Sequence, residues 1–188
     1  MEVLIDLNEF IEKDPELSLA LFYPESIKMF QWKGKIYGIP NDIAMYVVFF
    51  NKDLFDAAGV ECPVDSWDWN DYLETAKRLT KHTNGRTVQF GTSNYNLLTA
   101  VFQNGGSIVD DNENPRLCLL NSQEAVEAIQ FCVDLSLKYH VAPLGRELEI
   151  QAPYEMFMAG KLAMFVGGHW DVTPFKNIKN FKWDVVPN

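Results

Sequence analysis

Residues 34–55 read GKIYGIPNDIAMYVVFFNKDLF, and this stretch decides the fold. Within it, residues 45–50 (Met-Tyr-Val-Val-Phe-Phe) are apolar without interruption. A strand buried on both faces of a sheet reads as such a run, whereas a strand with one solvated face alternates apolar and polar residues. The following residues, from Asn51, predict a short helix that ends at Gly59. The stretch therefore predicts a central strand in a sheet covered by helices.

Helix and strand signals alternate on both sides of this run. On its amino side, residues 31–40 predict a hairpin that turns at Lys33-Gly34. On its carboxyl side, we expect a helix capped by Ser66 and another that is capped by Asn121 and reaches about Tyr139. Such alternation favours an α/β fold with a layered sheet. Further strands are predicted at residues 87–92, 107–109, 162–166 and 183–187, a turn at residues 167–168, and a buried stripe on the last helix at Val126, Ile129, Val133 and Leu137.

Composition and charge exclude several kinds of partner. The 188 residues include 16 Lys and Arg against 26 Asp and Glu, a formal net charge of −10. Nucleic acids and anionic lipids require a basic surface, so we expect no nucleic-acid partner. The apolar runs are far shorter than the ~20 residues that span a bilayer, and no segment reads as a signal peptide. We expect a membrane link only through an upstream signal or lipid anchor, which this sequence lacks.

The sequence carries no recognisable metal or redox motif. Its three cysteines are widely spaced and form no C-x-x-C pair, so we expect buried, small apolar side chains. Its three histidines have no partner at the spacing of metal ligands, and the acidic turn at residues 110–113 lacks the glycine and distal glutamate of a calcium loop. We therefore predict no metal and no cofactor. The residues concerned are Cys62, Cys118, Cys132, His82, His140 and His169.

Four blocks of the sequence match one known pattern. They read GKIYGIP with NKDLF (residues 34–40 and 51–55), SWDW (66–69), NGG (104–106) and FMAGKLAMFVGGHW (157–170). Together they extend over almost the whole chain. In order and spacing they resemble the sugar-type extracellular solute-binding proteins, the family that includes maltose-binding protein.

This resemblance implies the periplasmic binding protein-like II fold, in which two α/β lobes close around a ligand at a hinge of crossing strands. Relatives are about twice as long, so the chain is expected to hold mainly one lobe. By resemblance, residues 1–44 are the tail of the first lobe and residues 45–50 are a hinge crossing. Residues 51–188 are then the main part of the second lobe.

The resemblance also implies a function. The chain is expected to be the substrate-binding component of an ABC importer, which binds an oligosaccharide and delivers it to the membrane permease, and not an enzyme. Such a protein acts outside the cytoplasm, in the periplasm or as a lipoprotein on the outer face of the cell membrane.

Candidate ligand contacts follow from the chemistry of a neutral sugar. Its hydroxyls need planar hydrogen-bonding partners, and its C–H faces pack on aromatic rings. By resemblance, Trp170 is the ring that stacks under the ligand, and the other candidates supply polar or edge contacts at strand ends. These other candidates are Asn41, Asp42, Asn94, Tyr95, Asn104 and His169.

Three alternatives remain open at this point. The ligand of the same fold can be another solute, such as a polyamine or glycerol phosphate. A glycoside hydrolase fragment would use two of the many carboxylates, although no G-x-S-x-G, H-E-x-x-H or Walker pattern is present. The chain can also be an interaction domain without a ligand.

Overall fold

The structure is a computed structural model that describes residues 3–93 and 95–187. The chain divides into two compact units. The first unit comprises the residues up to Ala44 together with residues 111–116. The second unit comprises the remaining residues, from Met45 onward.

Helices and short strands alternate along the chain. The helices are α1 (Asn8–Lys13), α2 (Pro24–Lys28), α3 (Lys52–Ala58), α4 (Trp69–Leu79), α5 (Leu97–Gln103), α6 (Gln123–Leu137), α7 (Arg146–Ile150), α8 (Pro153–Met158) and α9 (Val172–Phe175), with 3₁₀ turns at Leu19–Leu21 and His169–Asp171. The strands are β1 (Gln31–Trp32), β2 (Lys35–Ile36), β3 (Tyr46–Asn51), β4 (Lys81–Thr83), β5 (Arg86–Gln89), β6 (Met164–Gly168) and β7 (Trp183–Pro187).

The first unit contains the predicted hairpin of β1 and β2. Its turn residues Lys33 and Gly34 both have positive φ, 51° and 77°, as a tight hairpin turn requires. The indole Nε1 of Trp32 donates to the carbonyl oxygen of Glu113 at 2.9 Å. This bond ties the segment 111–116 to the hairpin.

The second unit is built on a three-stranded antiparallel sheet in the order β6-β3-β7. Residues 90–93 extend this sheet by running parallel to β6. Here the amide of Met164 donates to the carbonyl of Gly91, and the amide of Ser93 donates to the carbonyl of Met164. The predicted strand at residues 87–92 is thus divided between β5, which pairs with β4, and this edge segment.

Strand β3 is buried on both faces from Val48 onward, as predicted, whereas Met45 lies before the strand and both Met45 and Tyr46 are exposed. Val48 and Phe50 contribute to one core, which α4 and α6 cover with Tyr72 and Leu135. Phe49 points to the opposite core and contacts a cluster of aromatic rings. That cluster consists of Phe157, Phe165, Phe175 and Trp183, with ring centroids 5.0–6.5 Å from Phe49.

The helix starts were predicted with mixed success. Helix α3 begins after Asn51, whose side chain accepts from the amide of Leu54, and ends at Gly59 with φ of 61°, as predicted. The Ser66 cap was wrong. Asp68 caps α4, because its carboxylate accepts from two helix amides while Asp71 accepts from the amide of Asp68.

Helix α6 differs from prediction in both its cap and its buried face. Its cap is Ser122 rather than Asn121, since the Ser122 hydroxyl accepts from the amide of Ala125. The predicted stripe was mostly wrong: Val126 and Leu137 are 52% and 57% exposed. Small side chains face inward instead, which lets α5 and α6 pack closely. The buried residues of α6 are Ala125, Ala128, Cys132, Leu135 and Ser136.

Three smaller predictions were also wrong. Residues 107–109 form no strand, and only Val109 pairs singly with Cys118. Residues 167–168 complete β6 instead of forming a turn. Cys118 is exposed, whereas Cys132 is buried as expected. Within residues 3–93 and 95–187, no helix has the length and apolar character needed to cross a membrane.

Replacing Phe49 with alanine is expected to destabilise the protein by about 3–5 kcal/mol, because the fully buried ring fills the centre of an aromatic cluster. Urea denaturation followed by circular dichroism measures the change. Val185→Thr is the matched control, since Val185 pairs with Phe49 but is exposed, and it should change stability by less than about 0.5 kcal/mol. Equal losses in both variants would contradict this account of the core.

Candidate functional site

At one end of the sheet in the second unit, the ends of four strand segments lie side by side. Strands β6 and β7 both end there, at Gly168 and Pro187, and β3 begins there at Tyr46. The register fixes this alignment, because Tyr46 pairs with Gly168 while Val47 pairs with Pro187. The parallel segment 90–93 also ends at this edge. We call this end of the sheet the carboxyl edge. Loops at the carboxyl ends of strands are where α/β sheets present ligand-binding groups.

Trp170 lies at the carboxyl edge, directly after β6. Trp170 is 53% exposed, so a large part of its apolar surface is in contact with water. The ring of Tyr46 packs against it at 90°, with 5.7 Å between centroids. The indole therefore contacts Tyr46 and leaves about half of its surface open to solvent.

Gly168 and Asp171 fix the position of Trp170. The six-membered ring of Trp170 lies so close to Gly168 that an added Cβ would overlap three of its carbons. The buried carboxylate of Asp171 accepts from the amide of Gly168 at 3.0 Å and closes the turn that carries the indole. Burial raises the pKa of Asp171, and this hydrogen bond partly opposes the rise.

A second feature on this unit is a cavity of about 410 Å³, which we call the aromatic pocket. The indole Nε1 of Trp67 donates to the carbonyl of Pro187 at 3.2 Å, which places that ring beside the carboxyl edge. The amide of Gln103 accepts from Tyr95 Oη at 2.9 Å and from Trp69 Nε1 at 3.4 Å. The pocket is lined by Trp67, Asp68, Trp69, Asn70, Tyr72, Tyr95, Gln103 and Asn104.

Two of the predicted site residues line the aromatic pocket. Tyr95 is only 7% exposed, and burial raises its pKa to about 12. Asn104 donates from Nδ2 to the carbonyl of Glu124 at 2.8 Å. His169 is exposed beside Trp170. Asn94, a further predicted contact, lies outside the described residues.

Asn41 and Asp42 belong to the first unit. Both are exposed, and they line a pocket of about 310 Å³ with Tyr23 and Ser26. The structure therefore brings Trp170 and His169 together at the carboxyl edge and places Tyr95 and Asn104 in the aromatic pocket. Asn41 and Asp42 lie in the first unit.

The sequence analysis did not name Tyr46, Trp67 or Trp69 as candidate contacts, although Tyr46 packs on Trp170 and both indoles line the aromatic pocket. Tyr46 was counted within the buried strand, yet it is 42% exposed because it is the first residue of β3. Its position near the start of the apolar run could have indicated this exposure, because the first residue of a strand lies at the end of the sheet.

The chemistry of these surfaces suits the binding of a neutral, hydroxylated molecule. Flat rings, amides and a carboxylate are present, and neither Lys nor Arg is among the residues that line the aromatic pocket. In the part of the chain that the structure describes, no three His, Cys, Asp or Glu side chains group as a metal site.

Comparison with known families settles the classification. A family model described as bacterial extracellular solute-binding protein matches residues 1–188, the entire sequence. The chain belongs to the bacterial extracellular solute-binding proteins. The sequence resemblance is thereby confirmed.

Two curated relatives of this solute-binding protein are named for oligosaccharides. An arabinooligosaccharide-binding protein from Halalkalibacterium halodurans is 27% identical over 171 residues, which cover 89% of this chain and 36% of the relative. A second protein of that name, from Bacillus subtilis, is 30% identical over 134 residues, covering 70% of this chain and 29% of the relative. The chain thus spans about a third of the length of these relatives.

A solved structure with higher sequence identity to this chain shows the fold. An ABC substrate-binding protein from Listeria monocytogenes, in complex with cycloalternan, is 35% identical with a TM-score of 0.86. The match covers 100% of this chain and 48% of that protein. The solute-binding protein therefore has the periplasmic binding protein fold that was expected, and the chain corresponds to about half of it.

Replacing Asp171 with alanine is expected to cost about 1–3 kcal/mol of stability, because the buried Gly168 amide loses its acceptor. Asp171→Asn is the matched control. It keeps an oxygen acceptor without a buried charge, so it should lose less than about 1 kcal/mol. Urea denaturation at neutral pH compares the two variants, and equal losses would show that the hydrogen bond does not hold this turn.

Proposed function

We propose that this protein is the substrate-binding component of an ABC importer and that it binds an oligosaccharide at the carboxyl edge of the second unit. The observation that carries this proposal is Trp170, a fixed and half-exposed indole at the sheet edge. An aromatic ring of this kind packs against the C–H face of a sugar ring. Because Gly168 and Tyr46 already position it, little entropy is lost when a ligand binds.

The relatives support a carbohydrate rather than another solute. Two are named for arabinooligosaccharides, and the Listeria structure holds cycloalternan. The site agrees with this ligand class, because an anionic solute such as glycerol phosphate calls for cationic partners. The aromatic pocket beside the carboxyl edge has neither Lys nor Arg in its lining.

The division of the chain supports an assignment to lobes. On this proposal, residues 1–44 are the tail of one lobe, residues 45–50 are a hinge crossing, and residues 51–188 are the main part of the other lobe. The boundary between the two compact units at Ala44 and Met45 supports this assignment, and residues 111–116 depart from it because they belong to the first compact unit.

The remaining roles follow from the same proposal. The protein acts outside the cytoplasm and passes its ligand to the permease subunits of the importer. It binds and releases its ligand without chemical conversion, as the family to which it belongs is one of binding proteins. Asn41 and Asp42 are proposed as polar ligand contacts from the first unit, and His169 and Asn94 as contacts close to Trp170 and Tyr95.

Isothermal titration of the natural, full-length protein with arabino-, galacto-, malto- and manno-oligosaccharides tests this function. We expect heat of binding from at least one series and no cleavage of that sugar on chromatography. Binding of none of these sugars, or turnover of one of them, would overturn the proposal.

Replacing Trp170 with alanine in the full-length protein is expected to weaken sugar binding by about 1–3 kcal/mol, the range of an aromatic anchor. The melting temperature should hardly change, because much of the ring is exposed. Trp170→Phe keeps a flat ring and should lose less affinity. A large drop in melting temperature with unchanged affinity would instead assign the indole to the core.

A further inference from the structure

We propose that the β4–β5 hairpin is a docking face for a phosphate-bearing anionic polymer outside the cell membrane. The hairpin lies at the end of the second unit opposite the carboxyl edge, so the two sites are separate. The inference goes beyond the proposed function, on which only the choice between a polymer and a membrane rests.

The sequence around the hairpin carries cations and no carboxylates. The chain contains 26 Asp and Glu, yet none of them falls in residues 75–109. Lysine or arginine stands at positions 77, 78, 81 and 86 within this stretch, and all four residues are exposed. A chain whose formal net charge is −10 therefore has a local basic surface, which a polyanion requires.

Two of these four cations have no ion-pair partner. In the part of the chain that the structure describes, no salt bridge involves Lys81 or Arg86. The other two cations each have a carboxylate nearby. These are Lys77, which pairs with Glu74 at 2.7 Å, and Arg78, which lines a pocket with Glu61. The attraction for an external anion is therefore strongest at Lys81 and Arg86.

The hairpin presents Lys81 and Arg86 on one face. Its turn residues Asn84 and Gly85 have φ of 51° and 73°, as a tight two-residue turn requires. Lys81 and Thr83 lie on the same face of β4 because they are two residues apart, and Arg86 pairs with Thr83. Diagonal neighbours of this kind are about 7–8 Å apart. The two cations therefore act on the same part of a ligand.

Helix α4 holds the base of the hairpin. The buried Gln89 donates from Nε2 to the carbonyl of Leu79 at 2.6 Å, and Thr80 Oγ1 accepts from the amide of Gly91 at 3.0 Å. Beyond this base, residues 81–86 are all exposed. The hairpin is thus attached firmly at one end and open to a partner at the other.

Phosphate groups are the anions that suit this surface. The guanidinium of Arg86 is a planar fork that matches phosphate oxygens, and Lys81 adds a compact charge beside it. Glu147 and Lys161, which line a pocket with Val88 of β5, contribute one charge of each sign and leave the basic character of the hairpin unchanged. The acidic remainder of the chain repels a polyanion, so binding is directed to this end of the unit.

The place of the hairpin favours a polymer over a membrane. Strand β5 leads into residues 90–93, which run parallel to β6 and end at the carboxyl edge. The hairpin is therefore at the opposite end of the sheet. On the proposed function, the carboxyl edge faces the permease in the membrane, so the hairpin faces away from that membrane. A flexible polymer reaches this end while the ligand site stays free.

Fluorescence anisotropy with labelled, long-chain inorganic polyphosphate tests the inference on the natural, full-length protein. The test variant is Lys81→Gln/Arg86→Gln. The matched control is Lys13→Gln/Lys28→Gln, which removes the same charge from exposed helix positions of the first unit. A third variant, Lys81→Arg/Arg86→Lys, keeps both charges. Vesicles of phosphatidylglycerol and the oligosaccharides named above are titrated in parallel.

We expect wild type to bind polyphosphate and to lose affinity as salt rises from about 50 to 200 mM, because binding releases counter-ions. The test variant should bind about tenfold more weakly at the lower salt concentration. Its slope of log affinity against log salt should be shallower by about 1.4, since each lost contact removes about 0.7. The control and the charge-conserving variant should behave as wild type, and sugar affinity should be the same in all four proteins.

Three results would contradict the inference. Absence of polyphosphate binding by wild type at the lower salt concentration would show that the hairpin is only a solvated surface. Equal losses in the test and control variants would show that net charge alone matters, and vesicle binding as tight as polyphosphate binding would make the partner a membrane. If wild type binds polyphosphate through the hairpin but binds no sugar, the proposed function fails and the docking face stands.

Discussion

The structure of the second unit depends on the burial of β3 on both faces. Val48 and Phe50 fill one core, while Phe49 fills the other, so a single strand joins two helical layers. Its pairing with β6 on one side and β7 on the other aligns the ends of both neighbours. The carboxyl edge exists because of this register, and a slip of one residue would exchange the two cores.

The candidate site depends in turn on close contacts at that edge. Gly168 allows an indole to lie directly on the backbone, and the buried Asp171 holds the turn closed. Tyr46 supports the ring from the neighbouring strand. These contacts restrict the indole, and a restricted aromatic ring loses less entropy when a ligand binds.

Part of this could be predicted from the sequence. The apolar run at residues 45–50 predicted β3, since continuous apolarity has one simple explanation in a layered sheet. The helix that follows Asn51 and ends at Gly59 was also predicted, because helix caps depend on the residues at the helix ends themselves. Trp170 was placed by resemblance, and the structure adds the support that Gly168 and Tyr46 give it.

The features that were not predicted depend on tertiary packing, which local sequence patterns do not indicate. On α6, Ala125 and Ala128 face inward because α5 packs closely, while the larger Val126 faces outward, so the most hydrophobic stripe was the wrong one. Ser66 and Asp68 are both good capping residues, and only the reciprocal bond with Asp71 favours the second. The aromatic pocket joins α4, α5 and the loop at Tyr95, which sequence spacing does not bring together.

The most direct measurement is a crystal structure of the natural, full-length protein, purified from its host or soaked with an oligosaccharide that it binds. The account predicts density for a sugar ring lying flat on the indole of Trp170 at the carboxyl edge. A bound ligand elsewhere, with the exposed surface of Trp170 covered by protein, would contradict it.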